Sequence, residues 1–377
     1  MRILYDHQIF DIQRIGGISR QFVELAKGNP EAKISVSETD NVNLLESGIA
    51  GVKPRPTLGK ISRLVNGFSF RGAHRLRGIY SKLTNTEAVD NRQVSLEALK
   101  AGQFDIFHPT YYDTYFLAAV GEKPIVATFH DMIHETFPEL FPLDDPVRRW
   151  KRELMARASA VIAVSESTKK DLVSFFDIDP RIIRVIHPGG GLRRDGAVRI
   201  DLPERYILFT GSRSGYKNFH FLIEVLAPWL RSEDKISVVC TGAPFSEAEI
   251  AWLAEMGISS QVIHRLASDF ELFELYARAL FFVFPSYYEG FGLPILEAFE
   301  AGCPVLLARA SSFPEVAQDA AFYFEPKNPQ SLLDATKELA SSESLRSDLV
   351  SKGRERARYF SWDRCRALTL ECYRGLS

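Results

Sequence analysis

Residues Phe284 to Glu297 read FPSYYEGFGLPILE, and the reading of the chain turns on this stretch. It holds two carboxylates, Glu289 and Glu297, with seven residues between them. Gly290 and Gly292 lie between the carboxylates, and Pro294 opens an apolar run. A short apolar segment, Leu280 to Pro285, leads in. The pattern predicts a strand, a tight glycine loop and a helix that starts at the loop. Proline suits a first helical turn, where its missing N–H costs nothing. Such a helix start offers free backbone N–H groups and a positive dipole end, which favour a phosphate. Glycines let a ligand come close to the backbone. The flanking carboxylates accept hydrogen bonds from hydroxyls. Phosphate donors beside hydroxyl acceptors are the chemistry of a nucleotide-sugar site. Taken alone, the pair also fits a solvated loop carboxylate and a helix-start carboxylate facing the dipole.

Outward from this stretch, short apolar runs alternate with longer helical patterns, which predicts α/β architecture with parallel sheets. Met1–Tyr5, Phe104–Phe107, Ile125–Phe129, Ala160–Val164 and Ile182–Ile186 read as strands, with helices over Ile18–Ala26 and Val147–Ala158. Ser165 is a good N-cap for the SESTKKDLVSFF helix. His187-Pro188-Gly189-Gly190-Gly191 then breaks the pattern. It restarts with strands at Arg205–Thr210, Lys235–Thr241, Val262–Arg265 and Pro304–Ala308, separated by helical segments. The expected division is a first Rossmann-like domain over 1–190, a second over 200–360, and a closing helix over 361–377.

A chain of 377 residues fits two such domains better than one core. Its 25% charged and 46% hydrophobic residues are those of a globular protein. A net charge of −2 gives no global attraction to nucleic acid. Cys240, Cys303, Cys365 and Cys372 are scattered, without metal-site or disulfide spacing, which points to a reducing compartment. The opening MRILYDHQIF does not read as a signal peptide, so none is expected, and no apolar segment reaches the ~20 residues of a membrane span. The expected location is the cytoplasm, at most peripheral at the inner face of the cytoplasmic membrane. The Ser47–Thr86 region bears on that contact: it has eight Lys or Arg residues, no acidic residue, and apolar side chains at helical spacing. Such a stretch, centred on 53–83, binds an anionic membrane or is a solvated basic face on the first domain.

Further candidates lie at strand ends. Thr210 to Asn218, reading TGSRSGYKN, puts Arg213 and Lys217 at a glycine-relaxed helix entrance suited to a diphosphate. Gly16 and Gly17 sit between the first strand and first helix, where a phosphate or sugar can approach or a plain turn suffices. His130-Asp131 follows the strand ending at Phe129. Val262 to Ala267 reads VIHRLA, with His264, Arg265 and Leu266 at another strand end.

Residues 284–297 resemble the signature of retaining glycosyltransferases of family 4, which have the two-domain GT-B fold. The resemblance extends over nearly the whole chain and is most specific in the second half. It implies two Rossmann-like domains facing across a cleft, with the closing helix crossing back to the first. It implies that Glu289 hydrogen-bonds the donor sugar and that Glu297 holds the ribose hydroxyls. Gly290, Phe291, Gly292 and Leu293 would line the donor. Lys217 would neutralise the leaving diphosphate. Its usual Arg neighbour is replaced by Tyr216, so Arg213 is the expected second cation. His130 would lie beside the donor sugar, Gly16 and Gly17 in a loop facing the cleft, and Arg265 and Leu266 near the base. Ser311–Val316 resembles the loop that closes the donor pocket. The chain has no aspartate cluster of the metal-binding kind, so no metal is expected, and the nucleotide sugar is a substrate, so no cofactor is. The favoured reaction is mannose transfer from GDP-mannose to a hydroxyl of a growing, lipid-linked surface glycan such as an O-antigen. A dTDP-rhamnose or UDP-sugar transferase and a nucleotide-sugar epimerase of the same fold are the alternatives.

Overall fold

The computed structural model describes residues 1–55, 89–192, 200–213, 215–233 and 235–376. The basic stretch therefore lies outside the described residues from position 56 to its end. Among the described residues no helix is long and apolar enough to cross a membrane.

The chain groups into two compact units. The first comprises Met1–Thr128, Pro146–Val161 and Leu370–Ser377; the second comprises Phe129–Asp145 and Ile162–Thr369. In the first unit, β1 (Ile3–Tyr5) lies between β2 (Lys33–Ile34) and β5 (Ile106–His108), all parallel. Ile3, Leu4 and Tyr5 are all buried. A parallel strand covered on both faces needs such an unbroken apolar run. A small parallel pair joins β3 (Glu38–Thr39) to β4 (Lys53–Pro54). A further sheet has the order β6 (Val126–Phe129), β7 (Ala160–Ala163), β8 (Ile183–Val185).

The second unit holds one six-stranded parallel sheet. Its strands are β9 (Tyr206–Phe209), β10 (Ser237–Cys240), β11 (Val262–His264), β12 (Phe281–Phe284), β13 (Val305–Ala308) and β14 (Phe322–Phe324). The order across the sheet is β11-β10-β9-β12-β13-β14. The chain thus builds outward from β9 in one direction, returns, and builds outward from β12 in the other. This is the doubly wound arrangement, and its reversal point lies between β9 and β12. The alternation along the strands sets two core layers. Ile207, Phe209, Val238, Cys240 and Val283 pack under the helices Phe219–Ser232 and Pro329–Ser341. Tyr206, Leu208, Val239, Phe282 and Phe284 pack on the opposite face, against the helix Leu293–Ala301.

The strands and helices expected from the sequence are present, with ends shifted by a residue or two. Ser246 and Ser268 each start a helix through a full capping box, with Glu249 and Glu271. The helix Asn91–Ala101 was not expected. Its fully buried positions are Asn91, Ser95 and Leu99, so two of the three inward side chains are polar and the apolar period is hidden. They are satisfied by hydrogen bonds instead: Asn91 donates to Asp11 and to the Glu38 carbonyl, and Ser95 donates to the Ser35 carbonyl. The closing helix, Trp362–Arg374, begins in the second unit and ends in the first. There the Tyr373 hydroxyl lies 3.0 Å from that of Tyr5 and 2.6 Å from His108 Nδ1.

Candidate functional site

Ligands of doubly wound sheets bind beyond the carboxyl ends of the strands at the reversal point. In this chain those ends are Thr210-Gly211, after β9, and Pro285 onward, after β12. Gly211 has φ +108, which only glycine adopts without strain, and a Cβ at Gly242 would fall 2.7 Å from the Gly211 carbonyl oxygen. The loops after β9 and β10 are therefore packed backbone to backbone.

A 3-10 turn, Gly215–Lys217, follows, and Asn218 enters the next helix with φ 61. Asn218 Nδ2 donates to the Pro285 carbonyl at 3.2 Å, and Tyr287 N donates to the Tyr216 carbonyl at 2.9 Å. These bonds hold the two loops together and set Lys217 beside the signature. Its Nζ lies 2.6 Å from Glu289 Oε1, with the side chains 18% and 14% exposed. Serines hold the Glu289 backbone: its N–H donates to Ser311 Oγ at 3.0 Å, and Ser312 Oγ donates to its carbonyl at 2.9 Å.

Gly292 is the N-cap of the helix Leu293–Ala301, with φ 98 and Pro294 in the first turn. Phe291 is buried and Leu293 half-buried. Glu297, one turn in, accepts a hydrogen bond from the Tyr276 hydroxyl at 3.3 Å. That hydroxyl is also 3.3 Å from Thr210 Oγ1. Burial, then the charge of Glu297, pushes the Tyr276 phenol up, so it stays neutral and donates to the carboxylate.

The structure brings His130 to the same loop. A Cβ at Gly290 would fall 1.6 Å from the His130 carbonyl oxygen and 3.2 Å from Asp131 Cα. His130 is 9% exposed. Asp131 accepts from Ile133 N at 3.1 Å and so caps the next turn. Ser165 does more than cap its helix: its Oγ accepts from Thr168 N at 3.0 Å and donates to the Gly290 carbonyl at 2.6 Å. Thr168 Oγ1 donates to that carbonyl at 3.1 Å. Glu315 accepts from Glu166 N at 2.9 Å, Ser167 N at 3.2 Å and His187 Nε2 at 2.6 Å. Burial pushes its carboxyl up, but these three bonds outweigh it and the group lies below its ordinary value.

Arg213 does not join Lys217. Its guanidinium makes four hydrogen bonds: Nε and Nη2 to Glu249 at 2.6 and 3.1 Å, and others to the Ala243 and Pro244 carbonyls at 2.6 and 2.9 Å. It also lies 4.7 Å from the Phe245 ring centroid. These bonds bring the Glu249 carboxyl down to about 2, helped by Ser246 and opposed by burial. Arg213 thus secures the loop after β10. Arg265, half-buried, places Nη2 3.4 Å from the Asp201 carbonyl, and Leu266 is 73% exposed. His264 Nε2 is 2.9 Å from the Gly242 carbonyl. Gly16 and Gly17 lie in the first unit, at the start of the helix Gly17–Lys27. The Gly16 carbonyl accepts from Ser19 Oγ and Asn43 Nδ2, both at 3.0 Å. Tyr276, Tyr288 and Asp171 escaped the sequence reading. Their signal is weak, because a buried Tyr or a helix Asp looks like core or solvated surface until its partner is known.

Known proteins resemble the chain in both halves. The profile of Glycosyl transferases group 1 matches residues 194–356, and that of Glycosyltransferase Family 4 matches residues 44–194. The O-antigen chain mannosyltransferase B of Escherichia coli is 29% identical over 67% of this chain and 70% of its own. A D-inositol 3-phosphate glycosyltransferase of a Nocardioides species is 26% identical over 95% of this chain and 85% of its own. Among solved structures, Anabaena HepE in complex with UDP and glucose superposes with a TM-score of 0.72 at 18% identity, covering 99% of both chains. The two profiles cover most of the chain and the parallel sheets fit the GT-B fold, so the protein belongs to the group 1/family 4 glycosyltransferases.

Proposed function

We propose that this enzyme moves a hexose from a nucleoside-diphosphate sugar to a glycan hydroxyl with retention of configuration. The observation that carries the reading is the 2.6 Å Lys217–Glu289 pair at the sheet's reversal point, with the Gly292 helix start in the same loop as Glu289. A diphosphate takes the place of Glu289 as partner of Lys217 and gains the helix N–H groups. Glu289 then accepts from the sugar hydroxyls, and Glu297, held by Tyr276, accepts from the ribose. His130 lies beside the sugar. As the glycosidic bond breaks, charge builds on the diphosphate, and Lys217 and the helix start stabilise it. The acceptor hydroxyl attacks on the face the phosphate leaves and passes its proton to that phosphate. Residues 1–190 supply the acceptor side and residues 200–360 the donor side. GDP-mannose is the leading donor, supported by relatives named O-antigen chain mannosyltransferases in Escherichia coli and Salmonella typhimurium at 29% and 26% identity. The likeness to HepE holding UDP and glucose keeps a UDP-sugar as the second reading. The acceptor is a lipid-linked surface glycan.

Calorimetry with nucleoside diphosphates and their sugars tests the division of labour. Glu297→Ala should weaken the bare diphosphate and the sugar donor alike, each by about 1.5–3 kcal/mol, whereas Glu289→Ala should weaken the sugar donor alone. Equal losses of both mutants on the bare diphosphate, or no binding of any diphosphate by the wild type, would overturn it.

A further inference from the structure

We propose that Tyr288 is a positioning residue, which with Asp171 sets the distance between the His130 segment and the Glu289 loop. The inference rests on the donor site proposed above. Tyr288 precedes Glu289 and is 6% exposed, its ring edge-on to Phe137 at 6.1 Å. Its hydroxyl accepts from Met132 N at 3.0 Å and donates to Asp171 Oδ2 at 2.7 Å. The direction of each bond is fixed, because an amide N–H has no lone pair to offer and an ionised carboxylate has no proton. Asp171 thereby orients the one lone pair that can meet Met132.

The geometry around this hydroxyl gives it leverage. Tyr288 is pinned to Met132, and two residues on, Gly290 is in direct backbone contact with His130. The two segments are therefore held together at two places, 288 against 132 and 290 against 130. Glu289 lies between the pins on one segment and Asp131 between them on the other. Without the Tyr288 bond the segments lose one of these two holds, and the separation of His130 and Glu289 is less closely fixed. Asp171 sits on the helix Glu166–Phe176, whose cap residue Ser165 holds the Gly290 carbonyl, so both pins hang from one rigid element. Burial, partly offset by the Tyr288 bond, raises the Asp171 carboxyl above its ordinary value. A half-buried carboxylate serving one phenol is a costly way to fill space, and the orienting role accounts for it.

The test compares Tyr288→Phe, Asp171→Asn and Asp171→Ala in the full chain by residue-resolved hydrogen exchange, nucleoside-diphosphate calorimetry and turnover. Tyr288→Phe keeps the ring and removes the pin. Met132 N–H should exchange about tenfold faster, the equivalent of one hydrogen bond. Turnover should fall about tenfold or more, with diphosphate affinity within about twofold of wild type. Asparagine still offers an oxygen to the phenol, so Asp171→Asn should keep both near wild type. Asp171→Ala should follow Tyr288→Phe. Unchanged Met132 exchange in Tyr288→Phe, or equal loss of affinity and turnover, would overturn the proposal. If the wild type turns over no nucleotide sugar, the transferase reading fails, and the exchange comparison alone decides the clamp.

Discussion

Replacing Gly290 by alanine tests the site at its tightest point. Gly290 is not in the left-handed region, so space alone excludes a side chain there. The added Cβ would fall 1.6 Å from the His130 carbonyl oxygen and 2.7 Å from its carbon. An unstrained C···O approach is about 3.3 Å, so the segments must part by about 1.7 Å. Both neighbours are backbone and cannot swing away as a side chain would. The movement pulls the Gly290 carbonyl from Ser165 and Thr168, now at 2.6 and 3.1 Å. Two hydrogen bonds at about 1 kcal/mol each and an overpacking cost of about 1–3 kcal/mol come to roughly 3–5 kcal/mol. If the fold survives by opening the loop, a shift above 1 Å at the reacting groups should cost about a hundredfold in turnover. The assays are a thermal melt and steady-state transfer, with Gly102→Ala as control. Gly102 ends a helix at φ +63 with nothing within 4 Å of its Cβ position. The control should lose about 1–2 kcal/mol and keep its activity. A Gly290→Ala protein that melts and turns over no worse than the control would show that the two segments are not in contact in solution.

Other outcomes follow from the same geometry. Lys217→Ala should lower turnover by about a hundredfold while leaving affinity for the phosphate-free nucleoside unchanged, because in the proposed mechanism its charge acts on the leaving group; equal losses in both measurements would contradict that. Tyr276→Phe removes the hydrogen bond to Glu297 and should weaken nucleoside-diphosphate binding by about 0.5–1.5 kcal/mol, read by calorimetry. Arg213→Met should flatten the acid limb of a stability-versus-pH curve. Glu249 is depressed to about 2 in the folded state by Arg213, so its contribution is complete above the ordinary carboxyl range and disappears as pH falls toward 2. A curve unchanged by the substitution would remove Arg213 from that account.

The sheet of the second unit was legible because each strand is buried on both faces and reads as an unbroken apolar run, as in FFVF at 281–284. Helices with a serine cap were legible for the same local reason. The helix Asn91–Ala101 was not, since Asn91 and Ser95 turn inward and bond to carbonyls far away in sequence. A polar side chain facing the core, such as Asn91 on the Glu38 carbonyl of β3, reads as exposed until its partner is placed. The two-residue strands β2, β3 and β4 carry no period at all.

Within the site, residues fixed by their own segment were legible and those fixed by a distant partner were not. Gly292, Pro294 and Glu297 follow from how a helix begins, and Lys217 from a glycine-relaxed turn at a strand end. Arg213 is the instructive case. Its position beside Lys217 in sequence suggested a shared phosphate, yet four residues of separation send it to Glu249 and the carbonyls after β10. A cation already bonded to a carboxylate and two carbonyls contributes little charge to a neighbouring ligand. In the proposed donor site the charge therefore rests on Lys217 and the Gly292 helix start, since Lys217 has, among the described residues, a single carboxylate partner that a donor can replace. Because Lys217 is paired with Glu289 at 2.6 Å, a donor bound as proposed must break that pair before either residue meets its ligand. A molecule that brings a diphosphate and sugar hydroxyls together satisfies both halves at once. A bare diphosphate takes Lys217 and leaves Glu289 without its cation, and a free sugar does the reverse. The proposed site would thus discriminate in favour of the intact donor, and Glu289→Gln, which has no charge to leave behind, should bind the bare diphosphate more tightly than the wild type does.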